Sequence, residues 1–144
     1  MKYLVSTNGN LLSIAIFFLR IMTGLILFVA GASKALGWFG GFGMKTTVQM
    51  FKSGMNISAG WAYISTYAEL IGGILLIIGF MTRPVALILV INMIAATILT
   101  GFTNFFMGGA AYPCLLAVTS LAILLAGPMH YSIDALFNKE RIIS

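Results

Sequence analysis

Two charged residues, Arg20 and Glu69, stand inside long apolar runs of this 144-residue chain. The runs, 11–36 and 61–81, are each long enough to cross a bilayer. An ionisable side chain at membrane depth costs about 2.5–3.5 kcal/mol on insertion scales, so such residues mark ion, proton or ligand sites, or internal pairs. The guanidinium can donate hydrogen bonds to a polar headgroup; the carboxylate can accept them or carry a proton. Asn92 in a third run, and Thr119 with Ser120 in a fourth, add neutral polar groups. Counting about 1.5 Å per residue from the helix ends on the side of the termini places Arg20 ~14 Å deep, Glu69 ~18 Å, Asn92 ~12 Å and Thr119/Ser120 ~12–14 Å. The expectation is one polar layer near the middle of a hydrocarbon core about 30 Å thick. Two roles fit it. In the structural role Arg20 pairs with Glu69, the other groups complete the hydrogen bonds, and the network fixes helix register. In the functional role the layer binds a polar headgroup such as a quinone, or forms part of a proton path.

The elements that must position these residues follow from composition. Hydrophobic residues make up 60% of the chain and charged ones 8%, with a mean hydropathy of +1.06; soluble domains carry about 25% charged residues. The chain reads as an all-α integral membrane four-helix bundle, one domain, with spans at about 11–36, 61–81, 85–102 and 112–126. The run holding Arg20 is too long for the apolar region of a signal peptide and is read as a retained helix. Thr82-Arg83-Pro84 reads as the stop after the second span, because proline cannot continue a helix. In the connection between spans one and two, Met44, Val48, Phe51 and Met55 recur at helical spacing, with Lys45 and Lys52 elsewhere on the wheel. That pattern predicts a short amphipathic helix, serving as a cap over the bundle or as a gating lid. On the first span Arg20, Gly24, Leu27, Gly31 and Lys34 share one face, and Gly72 and Gly73 follow Glu69 on the second. Small residues let membrane helices approach closely, so these faces turn toward protein. Lys34 falls at the membrane boundary, where a lysine ordinarily snorkels to water.

The formal charge is +5, from eight Lys/Arg against three Asp/Glu. The basic residues are scattered singly at helix ends and in one loop, which argues for topology signals and against nucleic acid. Lys2, Arg83, Lys139 and Arg141 collect on the side of the termini and Lys34, Lys45 and Lys52 on the other, a bias of four to three toward cytoplasmic termini. The single cysteine, Cys114, and single histidine, His130, exclude an internal disulfide, a CxxC pair, a multi-histidine metal site and a bis-histidine haem site. Cys114 reads as an apolar packing residue, His130 as an interfacial side chain, and Asp134 as a cap on its own terminal turn. No metal is expected, and any redox cofactor comes from outside the chain.

Three stretches in order resemble the DoxX family of small bacterial membrane proteins. The first runs from Leu19-Arg20 through Gly24, Phe28 and Gly31 to Lys34-Ala35-Leu36 and the Gly/Phe-rich turn. The second is Ala68-Glu69-Leu70-Ile71-Gly72-Gly73, continuing through Gly79 to Thr82-Arg83. The third is Gly127-Pro128 followed by Tyr131-Ser132-Ile133-Asp134-Ala135-Leu136. The resemblance covers nearly the whole chain. It implies one bundle domain over 1–144 in the bacterial inner membrane, associated with redox enzymes; relatives include the small subunit of a thiosulfate:quinone oxidoreductase and a membrane partner in a complex handling oxidative and thiol stress. It implies a role as a subunit rather than an autonomous enzyme, with quinone as the cofactor to look for. Membrane lipid, a redox-enzyme subunit and a second copy of the chain are the partners it admits. Family members often carry a histidine late in the third span and a glutamate before the fourth. This chain has Thr100, Phe102 and Asn104, then Ala110-Ala111, in those places. The ligand-binding candidates carried forward are Arg20, Lys34, Glu69 and Asn92. The rival reading is a non-catalytic scaffold or a lipid- or small-molecule-binding bundle in which Arg20 and Glu69 serve assembly.

Overall fold

The computed structural model describes residues 9–101, 109–128 and 132–135. They form five α-helices: α1 (Gly9–Leu36), α2 (Gly43–Met55), α3 (Ala59–Ile78), α4 (Thr82–Thr100) and α5 (Ala111–Ala126), with a 3₁₀ turn at Trp38–Gly40. Three helices, α1, α3 and α4, are long and apolar enough to cross a membrane, and α5 is a shorter apolar helix. Outward-facing Phe18, Ile64, Ile91, Ile98, Leu115 and Leu125 are each more than half exposed. In water such a surface would drive association; in a bilayer it is the lipid contact. The all-α membrane bundle read from the sequence is the fold.

α1 packs on α3 and α4 on α5; α3 meets α4, and α1 meets α5, so the four spans close into a ring. Leu27, Leu76, Leu89, Leu116 and Ile123 fill its interior. The α1–α3 seam is built on the predicted glycines. A Cβ at Gly73 would stand 2.6 Å from the Phe28 nitrogen and 2.7 Å from the Gly24 carbonyl oxygen, and one at Gly31 would collide with the Leu70 backbone. Backbone cannot yield as a side-chain tip can, so overpacking is costly here, about 1–3 kcal/mol. We expect Gly73→Ala to lower the melting temperature in detergent by several degrees. Gly60→Ala, where nothing lies within 4 Å of the added carbon, should leave it unchanged; equal melting of the two variants would count against this seam.

The turn between α3 and α4 and the end of α4 differ from the sequence reading. α3 ends at Ile78, three residues before the expected limit, because Gly79 adopts a left-handed conformation (φ 71°) and its N–H bonds back to Leu75 and Leu76. Pro84 is therefore not the stop: it lies in the first turn of α4, where its missing N–H is no loss. α4 ends at Thr100 with Gly101 as its C-cap, and Phe102 and Asn104 lie outside the described residues. α2 forms where the apolar spacing predicts and packs against α1 and α3. The Thr47 hydroxyl lies 2.9 Å from the Gly43 carbonyl oxygen and 3.2 Å from that of Lys34, tying α2 to the end of α1.

Candidate functional site

The single polar layer expected across the bundle resolves into two centres, one near each end. α1 runs antiparallel to α3, with Gly24 beside Gly73 and Ile77, and Gly31 beside Leu70. This register carries Lys34 to Glu69 and Arg20 to Gly79. Ten residues of α3 separate those two levels, about 15 Å at helical rise. Arg20 and Glu69 therefore do not pair. The depth count went wrong because it set the helix ends flush: α1 has 28 residues against 20 in α3, 19 in α4 and 16 in α5, and its first turns extend past them.

Glu69 is 2% exposed, and both carboxylate oxygens accept from Lys34 Nζ at 2.7 Å. Lys34 is thus not simply snorkelling outward; its flexible stem turns the ammonium in toward the carboxylate. Asn92, from α4, is close enough to act on the Glu69 charge, yet its Nδ2 closes no hydrogen bond within 3.5 Å. The amide approaches the pair without closing a bond to it through Nδ2.

These three residues line a cavity of about 750 Å³. Its other walls are Leu27, Ala30 and Ser33 of α1; Met93, Ala96 and Leu99 of α4; and Tyr112, Pro113 and Leu116 of α5. α2 covers it with Thr47, Met50 and Phe51, and Trp61 and Ser65 complete the α3 side. The volume lies within the roughly 300–1,000 Å³ of small-molecule sites, and an apolar lining with a few convergent polar groups is their usual character. Tyr112 and Trp61 were read from the sequence only as span boundaries. No spacing rule marks them, since they reach the cavity through the tertiary arrangement. Thr100 also lines the cavity. Thr119 and Ser120 take no part: Thr119 donates to the Leu116 carbonyl of its own helix, and Ser120 is buried away from the cavity wall.

Arg20 belongs to the second centre. It is 2% exposed, Nη1 donates to the Pro128 carbonyl at 3.3 Å, and the guanidinium lies over the Phe17 ring, 5.8 Å from its centroid. Its Nη1 occupies the space a Cβ on Gly79 would need, at 2.8 Å, so this residue must be glycine for both its φ and its neighbour. Asp134 is not a cap for its own turn. Its carboxylate accepts from the Met81 and Thr82 amides at 2.8 Å each, capping α4 from across the bundle, while its own N–H donates to Gly79. Arg20 thereby draws together the α3–α4 turn, the end of α5 and the segment 132–135.

Partial burial raises the Asp134 carboxyl, but the Thr82 and Met81 hydrogen bonds and the Arg20 charge outweigh it and hold the group below the ordinary aspartate value. A depressed folded-state value contributes stability above the unfolded value, near 3.9, that is lost as pH falls through the folded value. Asn offers one neutral acceptor where the two carboxylate oxygens each take an amide, so we expect Asp134→Asn to cost about 1 kcal/mol at pH 7. Its melting temperature should approach that of the parent at the acid end, below pH 3.9. A constant gap from pH 7 into that range would contradict the assignment.

Among the described residues, no three of His, Cys, Asp and Glu come together in a way that could hold a metal ion. Cys114 lines a separate apolar hollow of about 230 Å³ between α4 and α5.

The DoxX family model matches residues 15–103, which hold Arg20, Lys34, Glu69 and Asn92. The chain is similar to a Bacillus subtilis (strain 168) protein described as "Putative oxidoreductase CatD", 36% identical over 123 residues that cover 85% of this chain and 87% of that protein. No solved structure matches it. The glycine-lined seam, the Lys34–Glu69 pair and the turn into α4 all fall within the matched region, and the chain belongs to the DoxX family.

Proposed function

We propose that this protein is a small subunit of a membrane redox system that binds a lipophilic carrier of the quinone class in the Lys34–Glu69 cavity. The carrying observation is the chemistry of that wall. Lys34 directs its ammonium at both Glu69 oxygens, and an ammonium has three donors. It keeps one N–H for a ligand, beside the uncommitted Asn92 amide and the Tyr112 side chain. The carboxylate is meanwhile occupied, so the cavity chiefly offers donors, at the end of an apolar chamber. A ring bearing carbonyl oxygens suits such a wall, with its hydrophobic body against Met93, Leu99 and Phe51. The oxidoreductase description of the Bacillus subtilis relative supports a redox setting. The chain holds no electron carrier of its own in this reading, so a partner subunit supplies the electrons and Glu69 with Lys34 holds the proton at the ligand. The location we infer is the bacterial inner membrane, with cytoplasmic termini. A scaffold role fits Arg20 better than it fits Lys34 and Glu69, because the Arg20 centre joins three segments and Arg20 lines neither of the two cavities described.

The test is gentle extraction at native expression, with identification of co-purifying lipids and proteins. Quinone retained by the parent and lost in Ala96→Phe, which fills the chamber, is the expected result. Equal retention by the two would place any quinone elsewhere.

A further inference from the structure

The cavity's charge is balanced within the wall itself, and this sets the class of headgroup it admits. Glu69 neutralises Lys34 at 2.7 Å through both oxygens, and the carboxylate has only 2% exposure. Lys34 is 38% exposed and on the cavity wall, so a ligand can touch the ammonium without displacing its partner. Among the described residues, no other lysine, arginine or acid lines the cavity. An anion entering would lose its hydration in an apolar chamber, and it would meet a cation already paired and a carboxylate that repels it. A neutral carbonyl loses much less on entry and accepts the remaining Lys34 N–H or the Asn92 amide.

We propose that Glu69 is the specificity determinant of this cavity: it admits uncharged, carbonyl-bearing ring headgroups and excludes anionic ones of the same shape. Removing its charge while keeping its size converts the chamber to an anion site, because Lys34 is then the only ion among the described residues of the wall. The inference rests on the proposed ligand-binding role of the cavity, but its charge logic can be read separately.

The probes are anthraquinone and anthraquinone-2-sulfonate, which share a ring and differ by one negative charge. Binding is read by quenching of Trp61, which lines the cavity, in a Trp38→Phe background. The protein is held in phosphatidylcholine nanodiscs, with empty discs subtracted. The parent should prefer the neutral ring by at least ~30-fold, and Glu69→Gln should gain at least ~10-fold for the sulfonate. Lys34→Met/Glu69→Gln, which carries neither charge, should lose that gain, with the neutral ring bound no better than by Lys34→Met. If the parent binds both probes within about threefold, or Glu69→Gln shifts neither, the inference is overturned and quinone binding stands. If the parent binds neither probe, the quinone reading fails. A sulfonate site appearing in Glu69→Gln would then still uphold the charge gate, and its absence would overturn that as well.

Discussion

Lys34→Met is expected to destabilise the protein by about 3 kcal/mol, because it leaves the carboxylate of Glu69 buried without its counter-charge. The same change should weaken quinone binding by tenfold or more, since it removes the charged donor from the cavity wall. Replacing both partners, Lys34→Met with Glu69→Leu, removes the stranded charge along with the pair. Stability should then return to within about 1 kcal/mol of the parent, as when other buried ion pairs are exchanged for apolar residues. Binding should not return, and this separates a ligand site from an assembly pair. A double-mutant cycle in chemical or thermal unfolding gives the coupling directly. About 2 kcal/mol or more is expected between Lys34 and Glu69, and under ~0.5 kcal/mol between Arg20 and Glu69, which are too far apart to share a contact. A large Arg20–Glu69 coupling would overturn the antiparallel register described above.

The second large effect is at the opposite end. Arg20→Met should cost about 3 kcal/mol, since it withdraws a buried cation from the Pro128 carbonyl and from the field of Asp134. The loss should be local first. The segment 132–135 is held to the α3–α4 turn through Asp134 and Gly79, so protease access near Pro128 should rise at temperatures where the helices remain intact. Arg20→Lys should recover only part of the loss, because an ammonium lacks the planar fork that reaches a carbonyl and a carboxylate together. Where Arg20→Met is still folded, quinone binding should match the parent's. A binding loss as great as that of Lys34→Met would mean that the two centres act as one.

How far the sequence carries can be judged residue by residue. The membrane class, the helices and α2 were legible because each rests on local information: apolar runs of spanning length, glycine or proline at the breaks, and apolar residues at helical spacing in 44–55. Arg20 and Glu69 were identified as inward-facing, and both are buried. Their common depth does not hold, and with it the pairing that one of the two roles required, because a count from helix ends misses the overhang of α1, which a hydropathy pattern does not show. A better signal was present. If Gly24 and Gly31 face Gly73 in an antiparallel pair, Lys34 falls opposite Glu69, and a long flexible stem closes the remaining gap. Lys34 was assigned to water because boundary lysines usually go there; the buried carboxylate is what turns it inward. Asp134 was read as a local cap because the sequence gives no hint that the segment 132–135 folds back on the α3–α4 turn. Tyr112, Trp61 and Ser65 were not separable from ordinary boundary and packing residues, since the cavity they line exists only once five helices are assembled.

The place where a quinone binds can be read directly. A photoreactive quinone analogue, irradiated with the protein in nanodiscs and mapped by peptide mass spectrometry, reports this without a functional assay. Labels on Met50, Phe51, Trp61 or Met93, suppressed by excess unreactive quinone and by Ala96→Phe, are the predicted result. Labelling confined to lipid-facing residues such as Phe18 and Ile64, and insensitive to competition, would contradict it.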